Sequence, residues 1–94
     1  MRIDDFIWLD DFVDKLEEKH GVYQDEVEDV FRNQPKIRKV QNGRVKGEDL
    51  YRALGQTENG RYLFIIFVYK PLKNSALVVS ARDMSDKERK NYGK

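Results

Sequence analysis

The chain has 94 residues, enough for one domain with a small core, because short chains bury a smaller share of their surface. The absence of cysteine excludes disulfides and thiolate-held metals, and a single histidine excludes the usual His-rich zinc sites. Hydrophobic residues make up 39% and charged residues 37%, and the net charge is only +1.

That net charge hides a strong asymmetry. Residues 1–30 hold three Lys/Arg against eleven Asp/Glu, residues 31–60 seven against three, and residues 61–94 eight against three. An acidic first third and a basic remainder make a dipolar molecule. The basic part suits nucleic acid, which is bound through neutralised phosphates, although a mixed solvated surface accounts for the same counts. The start Met1–Asp5 lacks the basic-then-apolar pattern of a signal peptide, and the apolar run Tyr62–Tyr69 falls far short of the roughly 20 residues of a membrane span. A single cytoplasmic domain over residues 1–94 is expected.

In chain order, Phe6–Leu9 is a short apolar run, read as a strand or extended lead-in. Asp10 then caps a helix with Phe12, Val13 and Leu16 on one face, and Gly21 stops it. A second helix runs from Tyr23 to Arg32, with Val27, Val30 and Phe31 at the helical period, and Asn33-Gln-Pro35 breaks it. Asn42-Gly43 lies between Ile37–Val40 and Arg44–Lys46, and Asn59-Gly60 between Leu50–Gln56 and Arg61–Tyr69. Both read as hairpin turns, whose two central positions need positive φ. Ala76–Ala81 forms the last strand, and Ser85-Asp-Lys-Glu88 is a capping box opening a final helix that ends at Gly93.

The order β-α-α-β-β-β-β-α with short turns predicts an α+β fold. A curved antiparallel sheet packs on the N-terminal helices, with a short C-terminal helix after it. Arg61–Tyr69 is apolar on both alternating faces, so it belongs in the middle of the sheet with both sides covered. The helix pair covers one face; the final helix or a partner protein covers the other.

Arg82 ends its strand, Arg61 opens the neighbouring one and Lys70 closes it. Arg52 comes from the strand across the Asn59-Gly60 turn. Arg52, Arg61 and Arg82 thus gather on one part of the sheet, with their shared face left open by parity. Grouped arginines grip a phosphate in a fork and stabilise charge building on its oxygens. Glu88 is a candidate general base and His20 a candidate acid or base. Structural readings compete with each. Arg82 pairs with Asp83 or Asp86 or caps the helix, Glu88 serves its capping box, His20 answers a helix dipole, and Tyr92 and Trp8 pack.

Three blocks carry a family resemblance. Trp8 is followed by Lys19-His20-Gly21-Val22. Arg52-Ala-Leu-Gly55-Gln-Thr-Glu-Asn-Gly60-Arg61 leads into the apolar strand. Val78-Val-Ser80-Ala81-Arg82 precedes Lys87-Glu88-Arg89 and Tyr92. Over nearly its whole length the chain resembles the BrnT family, the toxin halves of bacterial type II toxin–antitoxin pairs. It departs from that pattern at Leu9, where many members have Asp, at Leu16, where Asn is common, and at Leu50, where Arg is often seen.

The resemblance implies a RelE/ParE-like fold and a ribonuclease that arrests translation, and cleavage without a metal or other cofactor is expected. It also implies a cognate BrnA-like antitoxin, usually with a ribbon-helix-helix DNA-binding part. It raises Arg82, Arg61, His20, Glu88 and Lys19 as catalytic candidates. Arg52, Lys70, Arg89 and Tyr92 are the candidates for RNA contact. Two rival functions go with the same fold: inhibition of DNA gyrase by binding, as in ParE-like relatives, and an inactive chain that only binds its antitoxin and regulates.

Overall fold

Five strands and three helices follow one another in the computed structural model, which describes residues 1–93. They are β1 (Asp5–Ile7), α1 (Asp10–His20), α2 (Gln24–Arg32), β2 (Lys36–Gln41), β3 (Leu50–Gln56), β4 (Tyr62–Lys70), β5 (Ser75–Asp83) and α3 (Asp86–Tyr92). The strands form one sheet in the order β1-β5-β4-β3-β2, which puts the apolar β4 at its centre.

β2 to β5 are antiparallel, as expected, but β1 runs parallel to β5. The sheet is therefore mixed rather than wholly antiparallel. A parallel pair needs a long connection, and here nearly the whole chain separates the two strands.

The helical face is the core. Ala53, Ile65 and Ala81 lie opposite one another across β3, β4 and β5, all fully buried. Leu63, Phe67 and Val78 extend that face, and α1 and α2 cover it with Leu16, Val27 and Val30. Phe31 packs edge-on against Phe6 and Phe67, tying α2 to β1 and β4. Gly55 lies on this face, where a Cβ would sit 2.8 Å from a Val30 methyl and 3.3 Å from Pro35. Gly55→Ala is therefore expected to cost about 1–3 kcal/mol through overpacking, read as a lowered thermal midpoint.

A bulge decides what the other face carries. Ile66 pairs with Ser80 but Phe67 pairs with Val78, so Val79 is the extra residue. Side chains on a strand alternate, and the extra residue resets that alternation. Val78 and Ala81 can then both face the helices, which sends Ser80 and Arg82 to the open face.

Local signals were realised with changes. Gly21 ends α1 in the left-handed conformation at φ 59°. Leu9, not Asp10, is the N-cap; Asp10 and Asp11 instead occupy the first turn, where the helix dipole favours them. Arg44–Lys46 is not a strand, because β2 pairs directly with β3 and residues 42–49 form the connection. Val45 is 58% exposed there, so that segment has no burial to gain by pairing. Gly43 serves close approach instead of turn geometry: a Cβ would lie 1.8 Å from the Glu48 carbonyl oxygen. At Asn59-Gly60 only Gly60 has positive φ, at 87°, in a longer loop closed by the Thr57 and Arg61 backbones.

Candidate functional site

The end of β5 and the start of α3 build one polar centre. Ser85 N–H donates to Glu88 Oε1 at 2.8 Å, and Glu88 N–H donates back to Ser85 Oγ at 3.2 Å, completing the capping box. The same carboxylate receives Arg82 Nη1 at 2.8 Å and Nη2 at 2.9 Å. Neither Asp83 nor Asp86 pairs with the Arg82 side chain through its carboxylate; only the Asp83 carbonyl accepts a bond from it, at 3.0 Å. The guanidinium lies over the Phe64 ring, with its carbon 4.2 Å from the centroid.

A guanidinium has five N–H donors. These contacts occupy both hydrogens of Nη1 and one of Nη2. The Nε–H and the second Nη2–H point out together along one edge and have no partner among the described residues. With the side chain 39% exposed, that edge is an open two-pronged donor.

The Glu88 carboxyl is held down at about 2, from an ordinary 4.5. Hydrogen bonds from Arg82 do most of this, against the effect of burial, with help from the Ser85 N–H. A carboxyl this acidic is a poor proton acceptor near neutrality; its geometry orients Arg82. Because the folded value is depressed, its stabilisation is complete above about 4.5 and is lost as pH falls through about 2. Glu88→Gln is expected to flatten this acid limb of the stability curve, as read from urea midpoints measured across it.

Arg61 stands on the opposite face of the sheet. All its donors are committed. Nε donates to Asp83 Oδ1 at 2.7 Å and Nη2 to Asp83 Oδ2 at 3.2 Å. Nη1 reaches the Gly21 carbonyl at 2.9 Å and Glu26 at 3.1 Å, and Nη2 the His20 carbonyl at 3.0 Å. Arg61 thus clamps the C-terminus of α1 to α2 and to the end of β5. No edge remains for a phosphate unless the clamp opens. The expected gathering of Arg52, Arg61 and Arg82 is therefore only half realised: Arg52, by its register with Ile66, and Arg82, by the Val79 bulge, share the open face, while Arg61 is on the other.

His20 and Lys19 are exposed at the end of α1. Asp83 is held below its usual range mainly by the hydrogen bonds from Arg61, with His20 adding a smaller charge effect. The His20 end of α1 and Arg82 therefore flank the same strand terminus from two sides.

The open face carries further basic residues. Arg89 stacks over Tyr62 at 4.1 Å, and Tyr92 meets Tyr62 edge-on. Lys36 donates to the Tyr92 carbonyl and lies over its ring. Arg38 pairs in register with Arg52, and Lys36, Arg38, Arg52, Leu54 and Asn91 line a cleft of about 390 Å³. Lys70 is elsewhere, ion-paired with Glu48 at the far end of β4. Sequence reasoning missed Arg38 and Lys36. Their two-residue spacing opposite Arg52 was a signal, but only the β2–β3 register makes it visible. Of the three departures, Leu16 is core at 2% exposure, Leu9 is an exposed N-cap, and Leu50 begins β3 on the open face.

The model of the family described as the ribonuclease toxin, BrnT, of type II toxin–antitoxin systems matches residues 8–88. The chain belongs to the BrnT family. It is thus a ribonuclease toxin by family, and the type II class implies an antitoxin partner. The crystal structure of the Brucella abortus ribonuclease toxin BrnT is similar to it, with a TM-score of 0.60 at 19% identity, covering 87% of this chain and 97% of that one. That likeness establishes the fold common to both. No curated protein sequence matches the chain. Among the described residues no helix is long and apolar enough to cross a membrane.

Proposed function

We propose that this BrnT chain cleaves RNA by attack of a ribose 2′-hydroxyl on the adjacent phosphate, with Arg82 as the phosphate-binding group. The observation that carries this reading is the free Nε/Nη2 edge of a guanidinium that Glu88 and Phe64 hold in place. As the 2′-oxygen–phosphorus bond forms and the bond to the 5′-oxygen breaks, negative charge builds on the non-bridging oxygens. A pre-oriented fork meets that charge with little reorganisation.

The 2′-hydroxyl must lose a proton and the leaving 5′-oxygen must gain one. Glu88 is too acidic to take the first, which favours His20 as the proton carrier, with exposed Lys19 adding positive charge nearby. Arg61 holds the backbone of His20 in place and does not touch the phosphate. Arg89 and Tyr92 frame the site from α3. Arg82 supplies the charge neutralisation that a metal would otherwise supply, so cleavage is expected to persist in EDTA.

The antitoxin, on this reading BrnA-like with a ribbon-helix-helix part, covers the open face. Leu50, Ile66, Val68 and Leu77 make an apolar strip there beside the basic cleft. The test is primer extension on total RNA after brief expression. New discrete 5′ ends with the parent and none with Arg82→Ala are expected, with loss of the ends on co-expression of the neighbouring antitoxin reading frame. Growth arrest without new ends would overturn the ribonuclease reading for this chain.

A further inference from the structure

The open face has a second feature that the cleavage centre does not use. Arg38 and Arg52 are direct cross-strand partners, so both side chains rise from the same face with their Cβ atoms about 5 Å apart. Like charges placed this way repel each other. Neither has a hydrogen bond or an ion pair among the described residues. Glu88 of α3, the carboxylate that meets Arg82 on this face, is already occupied by Arg82 and Ser85. Among the described residues no carboxylate pairs with either guanidinium, and the cleft lined by Arg38, Arg52, Lys36 and Asn91 is large enough for an anion.

We infer that the Arg38–Arg52 pair is a phosphate subsite for the same RNA strand, next to the scissile phosphate at Arg82. The inference rests on the ribonuclease reading. In the sheet, Arg52 and Arg82 are two strands apart and offset by two residues, since Arg52 pairs with Ile66 and Arg82 with Phe64. Their backbones are therefore roughly 12 Å apart. Two long side chains reaching inward from that separation hold phosphates a few nucleotides apart on one strand. The strand then runs diagonally across the open face from β5 to β2.

The rings of this face shape what the subsite reads. Phe64, Tyr62 and Tyr92 are already stacked by Arg82, Arg89 and Lys36. Among the described residues each of these rings already has a cation over it, so contact through phosphate and ribose is expected to dominate. Binding at this subsite is accordingly strong in its salt dependence and weak in its base preference.

The experiment uses the full chain, Arg38→Gln, Arg52→Gln and the double variant. The probe is a fluorescein-labelled single-stranded RNA with 2′-O-methyl riboses, which lack the attacking hydroxyl. Affinity is followed by anisotropy across a salt series, beside cleavage kinetics on the unmodified RNA. Each single variant is expected to bind about tenfold more weakly. Each should also lower the slope of log K against log salt by about 0.7, while kcat stays near the parent value. Thermal midpoints near that of the parent show that the variants fold.

A parent that cleaves, with variants that bind the probe at unchanged affinity and slope, would sink the subsite and leave the ribonuclease reading intact. A parent that neither binds nor cleaves would remove that reading itself. Variants that lose only the antitoxin would make this face a protein-docking surface, and the subsite would be wrong.

Discussion

Arg82→Ala is expected to lower RNA cleavage by about 10²–10³ and to abolish growth arrest while leaving the fold in place. The rate loss follows from removing the fork that Glu88 and Phe64 orient on the open face. The fold survives because Arg82 is more than a third exposed and its side chain ties mainly to Glu88. Glu88 keeps its capping bonds to Ser85 without it. A partly exposed ion pair of this kind, screened by solvent, contributes on the order of 1 kcal/mol. Arg82→Lys separates charge from geometry: an ammonium keeps the charge but lacks the planar edge, so it is expected to recover little. Single-turnover cleavage and a thermal melt on the same preparations check both parts. A folded Arg82→Ala protein that cleaves at the parent rate would contradict the assignment.

Arg61→Ala is expected to do the reverse, with its main effect on stability. The variant loses the bonds to Asp83, Glu26 and the carbonyls of His20 and Gly21 together. It also leaves the Glu26 and Asp83 carboxylates facing each other without the cation between them. The Arg61 side chain is 27% exposed, so solvent softens this below the loss of a fully buried pair. A cost of about 2–3 kcal/mol is expected, or roughly 10–20 °C in the thermal midpoint of a domain this size. Cleavage per folded molecule, measured in the cold, should fall far less than for Arg82→Ala. An Arg61→Ala protein that melts like the parent but cleaves a hundredfold more slowly would return Arg61 to the chemistry.

The two arginines also show how far the sequence could be read. Periodicity and capping located the elements well, because Val27, Val30, Gly21 and the Ser85–Glu88 box act through neighbours in the chain. The central place of β4 was legible from its two apolar faces. The placement of Arg61 and Arg82 on opposite faces was not, because one extra residue at Val79 inverts the alternation beyond it, and nothing local to Val-Val-Ser marks a bulge. The false hairpin at Asn42-Gly43 has the same origin. A turn signal states what a dipeptide permits, and β3 offered β2 a longer apolar neighbour than Arg44–Lys46 did. β1 was readable as a strand but not as a parallel one, since three residues carry no direction. At the site, residue types were legible and their commitments were not. Arg61 and Arg82 look alike in the chain, and only the count of occupied donors separates a clamp from an open fork.

The most direct measurement is the chemistry of the cut ends. Purified protein, free of its antitoxin, is incubated with a defined single-stranded RNA, and both fragments are analysed by mass spectrometry. Attack by the 2′-hydroxyl leaves a 2′,3′-cyclic phosphate on one fragment and a 5′-hydroxyl on the other, and that pair of ends, lost with Arg82→Ala, is the expected result. A 5′-phosphate opposite a 3′-hydroxyl would mean that water attacked, and would contradict the mechanism built on Arg82.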